Sequence, residues 1–222
     1  VAAEPRDGID YFPLMVDYEE RLYAAGKISG SRFIKRETRP SETAILNARL
    51  IDRPIRPLFP KDWRRDVKII ATILSFDGEH DPDMPAMLGA SAVLMLCDVP
   101  YAGPIAGVRV GQVDGELVIN PTMDQQKAGD LDIVVAGNRE RILMLEAGAK
   151  SVPEARVLEA IAAAHQAMQP LFDLQEQLKK DHPVSDQAVM EVEVEGTPIH
   201  IDIKSELGEQ LVAAAKEQDA AK

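Results

Sequence analysis

Apolar and polar positions along the chain follow two periods. A period of two, or a short apolar run bounded by Gly, Pro, Asn or Asp, marks a strand, and a period near 3.6 marks a helix. Residues 8 to 18 end in the apolar run Tyr11-Phe-Pro-Leu-Met-Val16, which predicts a strand with Pro13 at an edge or bulge. Lys27 to Arg39, rich in Gly, Ser and charge, predicts an exposed loop. Pro40-Ser41 offers a cap for a helix over Glu42 to Arg53, with Ile45, Leu46, Ala48 and Leu50 as its core face and Pro54 stopping or kinking it. Asp66 to Phe76 is β-branched and apolar, as in a strand buried on both faces. Met84 to about Leu96 is apolar nearly all round and predicts a central helix, capped by Asp81 with Pro82 in its first turn.

Four short strands follow, Ile105 to Val110, Glu116 to Ile119, Asp132 to Val135 and Arg141 to Leu145, separated by turn signals such as Asp114-Gly115 and Gly137-Asn138. A long helix from Pro153 to about Lys180 closes the unit. Several strands with helices between them point to an α/β (α+β) sandwich. Asp181-His-Pro183 then signals a linker, which places a boundary near residue 182 and divides the chain into 1–182 and 183–222. The second segment is polar and acidic, and Ser205 offers a cap for a short helix through Ala215, although Gly208 weakens it. The opening Val1-Ala-Ala reads as the tail of a strand, so an N-terminal portion is expected to be missing.

Composition narrows the class. At 222 residues and 45% hydrophobic content the chain can bury one sizeable core. No apolar run approaches the roughly 18 residues of a membrane span, and a cytoplasmic setting without membrane contact is expected. Cys97 stands alone in the run Ala92-Val-Leu-Met-Leu-Cys97, which excludes an internal disulfide and suits a small buried hydrophobe. His165, His182 and His200 are isolated from one another, so no zinc pattern exists, and neither a phosphate-binding loop nor a dinucleotide fingerprint is present.

The net charge of -12 argues against nucleic acid until its distribution is considered. Between Lys27 and Lys68 stand twelve Lys and Arg against five Asp and Glu, a local balance of +7 that leaves -19 for the rest. A basic strip on an acidic body focuses attraction for a polyanion on one place.

The run Phe33-Ile-Lys-Arg-Glu-Thr-Arg-Pro-Ser41, followed by Arg49-Leu-Ile-Asp-Arg-Pro-Ile-Arg-Pro-Leu-Phe59, resembles the first core domain of the polynucleotide phosphorylase family. Asp17-Tyr-Glu-Glu-Arg-Leu-Tyr-Ala-Ala-Gly-Lys27, Gly89-Ala-Ser91, Gly103-Pro104, Asn120-Pro-Thr122 and Glu146-Ala-Gly-Ala149 extend the likeness in collinear order from residue 4 to about 180. The resemblance implies an RNase PH-like first core domain over 1–182, and the start of a mainly helical linker over 183–222. It also implies a homotrimeric ring in which inorganic phosphate, as co-substrate, attacks the 3′ end of single-stranded RNA and releases nucleoside diphosphates with the help of a magnesium ion. Single-stranded RNA, further copies of the chain and other RNA-degradation proteins are the implied partners.

Within the family the loop around Phe33, Lys35, Arg36 and Arg39 narrows the channel where RNA enters. An aromatic face stacks any base while flanking cations hold phosphates without reading sequence. Ile34 and Lys35 depart from the usual Phe-Phe-Arg-Arg, so stacking is expected to be weaker here. A solvated basic loop is the plainer alternative. Arg49, Arg53 and Arg56, spaced to form one stripe if the helix survives Pro54, suit either a phosphate-tracking ladder or salt bridges that hold a ring together.

Catalytic and metal-binding residues are expected elsewhere. In the family's catalytic second domain, serines ahead of a Gly-Ala-Ser helix hold the attacking phosphate, and here Asp81-Pro82-Asp83 stands in that place. The accompanying pattern D-x-x-x-D-x-D-x-K, aligned on Val135-Ala-Gly137, falls on Gln126, Asp130, Asp132 and Val134, so one carboxylate and the lysine are gone. The acidic cluster Asp77 to Asp83 lacks the spacing of a calcium loop, and capping by Asp81 accounts for it more simply. Three readings follow: part of a phosphorolytic RNA-degrading enzyme whose chemistry lies in a second core domain, a binding and assembly module without turnover, or an active stand-alone exoribonuclease.

Overall fold

The computed structural model describes residues 1–27 apart from 3 and 7, residues 40–183, and the backbone of 189–194 and 197–202. The chain divides into two compact units, Val1–His182 and Pro183–Lys222.

In the first unit, β1 (Leu14–Glu20) and β2 (Val67–Ile73) form a parallel pair, in register from Leu14 opposite Val67 to Glu20 opposite Ile73. A second, four-stranded antiparallel sheet runs in the order β4 (Glu116–Ile119), β3 (Ala106–Val113), β5 (Leu131–Gly137), β6 (Ile142–Ala149). The helices are α1 (Glu42–Ile55), α2 (Asp83–Met95), the short α3 (Met123–Ala128) and α4 (Glu154–Asp181). No helix among the described residues is long and apolar enough to cross a membrane.

Alternation along β3 and β5 gives the four-stranded sheet two buried faces. Ala106, Val108, Val110, Leu131, Ile133 and Val135 meet Ala160, Ala164, Met168 and Phe172 of α4. On the opposite face Val134, Ala136 and Met144 share a core with α1, α2, β1 and β2. Gly107 lets α2 lie close, since a Cβ there would fall 2.6 Å from the buried Met87 sulfur. Residue 109, two positions further along the pleat, shares that face.

The architecture is the α+β sandwich expected from the pattern, with differences of detail. The strand forecast at Tyr11 begins only after Pro13, whose ring cannot donate to a ladder, and it runs on to Glu20 because Tyr18 packs inward. Residues 67–70 of β2 alternate, with Val67 and Ile69 buried and Lys68 and Ile70 exposed, so the strand is covered on one face rather than two. Ser41 caps α1 as expected, its Oγ accepting from Ala44 N at 3.0 Å. Helix α1 then turns Ala44, Leu50, Ile51, Pro54 and Ile55 inward and leaves Ile45 and Leu46 50% and 62% exposed, contrary to the expected core face. It also passes through Pro54 before tightening into a 3-10 turn at Arg56–Leu58.

In the second unit, expected to be mainly helical, the described backbone is an antiparallel strand pair, β7 (Val189–Val194) and β8 (Thr197–Asp202). The helix forecast from Ser205 to Ala215 lies outside the described residues.

Candidate functional site

Two places in the first unit gather charge. The first lies on α1. Phe33, Lys35, Arg36 and Arg39 lie outside the described residues. Arg49 is exposed and makes no hydrogen bond or ion pair among the described residues. Arg53 is exposed and stands 3.4 Å from the equally exposed Glu146 of β6, a pair worth little in water. Arg56 is different, because its guanidinium is committed inside the chain. It grips Asp52 through Nε at 3.0 Å and Nη2 at 2.6 Å. It also donates to the carbonyls of Phe12 at 2.9 Å and Leu14 at 3.1 Å, and lies 5.9 Å from the Phe12 ring centre. Arg56 therefore ties the end of α1 to the start of β1, while Arg49 faces a cleft of about 330 Å³ between those two elements. Tyr18, Ala48 and Asp17 also line this cleft.

The second place is the N-terminus of α2. Asp77 closes the turn ahead of it, accepting from Glu79 N at 2.8 Å and His80 N at 2.9 Å and pairing with His80 Nδ1 at 2.7 Å. The His80 backbone N–H, then its ring, hold the Asp77 carboxyl well below the usual carboxylate range, and Asp77 in turn raises the His80 imidazole. The expected capping by Asp81 does not occur: the N-cap position is Pro82, without a side-chain bond. Asp83 serves the helix start instead, its Oδ1 accepting from Met84 N at 2.8 Å.

Asp83 is 1% exposed, and its other oxygen receives Arg109 Nη2 of β3 at 2.6 Å. Arg109 Nη1 reaches both oxygens of Asp132 at 2.9 and 3.0 Å, and Asp81 lies 4.0 Å from its Nε. The pairing follows from sheet register. Arg109 sits opposite Val134 on β5, so Asp132 is its diagonal neighbour on the same face. Asn120 fixes the arginine's backbone: its side-chain oxygen accepts from Arg109 N at 3.0 Å and its own N–H donates to Arg109 O at 2.7 Å. Burial pulls the guanidinium pKa down, but the charges of Asp83 and Asp132 outweigh it and hold the pKa above its ordinary value.

The other residues on the aligned pattern do not join this cluster. Gln126 donates to Pro121 O at 3.0 Å, Val134 is in the core, and Asp130 is exposed just ahead of β5. Among the described residues no group of three or more acidic, His or Cys side chains is arranged to hold a metal ion. The carboxylates of Asp83 and Asp132, already in contact with a guanidinium, do not fit a divalent cation. A larger hollow of about 670 Å³ between β2 and α2 is lined mainly by apolar side chains, including Ile69, Ile73, Ala90 and Leu94.

Sequence reasoning named Asp83 and Asp132 but missed Arg109. Its only signal was a single cation in the run Gly107 to Val113 of a strand otherwise buried on both faces.

Comparison with known proteins adds a family context. Residues 1–100 match the 3′ exoribonuclease family, domain 1, and residues 103–167 match the 3′ exoribonuclease family, domain 2. Both matches fall within the first compact unit. The chain is 54% identical to a polyribonucleotide nucleotidyltransferase of Heliobacterium modesticaldum, with 85% of this chain and 28% of the relative covered. It is 56% identical to the polyribonucleotide nucleotidyltransferase of Halothermothrix orenii, with 81% and 25% covered. The chain thus spans about a quarter of the length of the curated relatives it matches.

Proposed function

The chain belongs to the 3′ exoribonuclease family, the RNase PH family, and from that membership we propose that it is the RNA-gripping and assembling part of a polyribonucleotide nucleotidyltransferase. In this reading residues 1–182 are the first core domain and 183–222 begin a linker. The parent protein degrades single-stranded RNA from its 3′ end with inorganic phosphate, as a cytoplasmic homotrimer working in mRNA turnover. Magnesium and the attacking phosphate would be held in a second core domain, since the cluster around Arg109 fits neither.

One observation carries this division of labour. The N-terminus of α2, a helix end whose positive pole favours an anion, already holds the buried Asp83 carboxylate. A phosphate would meet Asp81, Asp83 and Asp132 there, with Arg109 already bound by two of them. The strip from Lys27 to Lys68, with its balance of +7, is the densest run of cations in the sequence. Phe33, Lys35, Arg36, Arg39 and Arg49 are assigned to the RNA path, with Arg53 as an exposed neighbour. Arg56 is assigned to the fold, because four of its five N–H donors are already used.

Two measurements test the proposal. Incubating the chain with a short single-stranded RNA, phosphate and magnesium is expected to release no nucleoside diphosphate, and release would place the chemistry in this unit. In the parent enzyme, Lys35→Ala with Arg36→Ala is expected to weaken RNA binding and to lower the slope of log affinity against log salt by roughly 1.4, about 0.7 for each lost phosphate contact with a single strand. An unchanged slope would put these residues outside the RNA path.

A further inference from the structure

The N-terminus of α2 contains three carboxylates, one guanidinium and the positive end of a helix within a few ångströms. Asp83 supplies the anion that such a helix end attracts, and supplies it from within the helix's own first turn. At 1% exposure that carboxylate cannot be satisfied by water, and a buried charge is tolerated only when paired and hydrogen-bonded. Its second oxygen has a partner in Arg109 Nη2, at 2.6 Å. The same guanidinium neutralises Asp132 through a two-oxygen contact, and its Nε, buried without a hydrogen bond, points toward Asp81 at 4.0 Å.

We propose that this is a self-liganded site, in which Asp83 is the built-in anion of the helix end and Arg109 the built-in cation of the carboxylates, so that the cluster is closed to dissolved anions and cations alike. The guanidinium stands where the geometry of Asp83 and Asp132 would otherwise recruit a cation from solution. The backbone of Arg109 is fixed by two hydrogen bonds to Asn120, so the internal cation is delivered in place by the sheet. None of these contacts involves the basic strip, so the site operates whether or not the chain meets RNA.

Replacing Arg109 should therefore open a cation pocket of guanidinium shape. Thermal unfolding of the 222-residue chain would be compared for wild type, Arg109→Ala, Asp83→Asn and the double variant. Arg109→Ala is expected to lower the melting temperature by roughly 5 °C or more, a shift of the size that loss of a buried pair produces in a domain of this length. Low millimolar guanidinium chloride, against sodium chloride at equal ionic strength, should return part of that loss by binding the folded state. It should do nothing for wild type or for the double variant, in which the carboxylate at position 83 has become a neutral amide that needs no counter-ion. The double variant should melt higher than Arg109→Ala alone.

Failure of both rescues, by guanidinium and by Asp83→Asn, would reduce Arg109 to a packing residue and overturn the proposal. If Arg109→Ala does not fold, the double variant decides: folding supports charge balance as the cause, and failure to fold refutes it. Because the readout is stability without RNA or turnover, its failure leaves the RNA-path assignment untouched. An unchanged salt slope for the Lys35 and Arg36 variant likewise leaves the site intact.

Discussion

Arg56→Ala separates the two roles open to the arginines of α1. The side chain makes a forked contact with Asp52 and two hydrogen bonds to the carbonyls of Phe12 and Leu14. The ion pair is an i, i+4 pair with its partners 42% and 24% exposed, so it contributes only about 0.3 to 0.5 kcal/mol. The carbonyl contacts matter more. They hold the strand entry on the helix end, and each part-buried bond contributes about 1 kcal/mol net. The total is near 2 kcal/mol, which in a domain of this size lowers the melting temperature by roughly 4 to 8 °C. Arg56→Lys should recover less than half, because a single ammonium cannot fork between Asp52 and two carbonyls. The assay is thermal unfolding of the chain, followed by RNA binding of the parent enzyme at several salt concentrations. A structural Arg56 predicts a lower melting temperature with an unchanged salt slope. An unchanged melting temperature with a slope reduced by roughly 0.7 would refute the reasoning and return Arg56 to the RNA path.

Two further expectations follow from packing and titration. Gly129→Ala would set a Cβ 2.6 Å from the Gln112 carbonyl oxygen and 3.1 Å from that of Gln125, and backbone atoms cannot step aside as a side-chain tip can. A loss of about 1 to 3 kcal/mol is expected in denaturant unfolding, and a neutral result would mean that the junction between α3 and β5 is looser than its contacts indicate. Burial pushes the Tyr101 phenol up to about 12, against the opposing hydrogen bonds from Ser91 and Ile105. The folded state thus keeps a proton that the unfolded chain releases from about pH 10. Stability should be intact below pH 10 and decline toward pH 12 by up to roughly 1.4 kcal/mol per unit. Tyr101→Phe should make this decline shallower, leaving the contribution of Tyr18, whose phenol burial also raises.

Much of the fold was legible because its signals are local. Ser41 before an acidic first turn, and the Gly-containing turns between β3, β4, β5 and β6, act within a few residues of themselves. Helix α3 was equally local and was missed, although Thr122 and Gln125 form a reciprocal capping box that the sequence displays. The inward face of α1 was misjudged because Ile45 and Leu46 are the more apolar residues, yet the helix is rolled by its contacts with β1 and α2 so that Ala44 and Ile51 point in. The Arg109 cluster could not be read at all. Its partners lie 23 and 26 residues away along the chain, and only the register of β3 with β5 and the close crossing of α2 over Gly107 bring them together. Asp132 stands in a metal pattern it does not complete, and the residue that satisfies it, Arg109, is marked in the sequence only as part of a strand.

The parallel pairing of β1 with β2 has a kinetic side. Leu14 and Val67, partners in the ladder, are 53 residues apart, whereas β3 to β6 join their neighbours through far shorter connections. Closing the longer circuit forfeits more chain entropy before any contact is gained, and local pairings form sooner. The four-stranded sheet with α4 laid across it is thus the part able to order early. The layer that carries Arg49 and Arg53 is expected to follow, onto a surface already waiting for it.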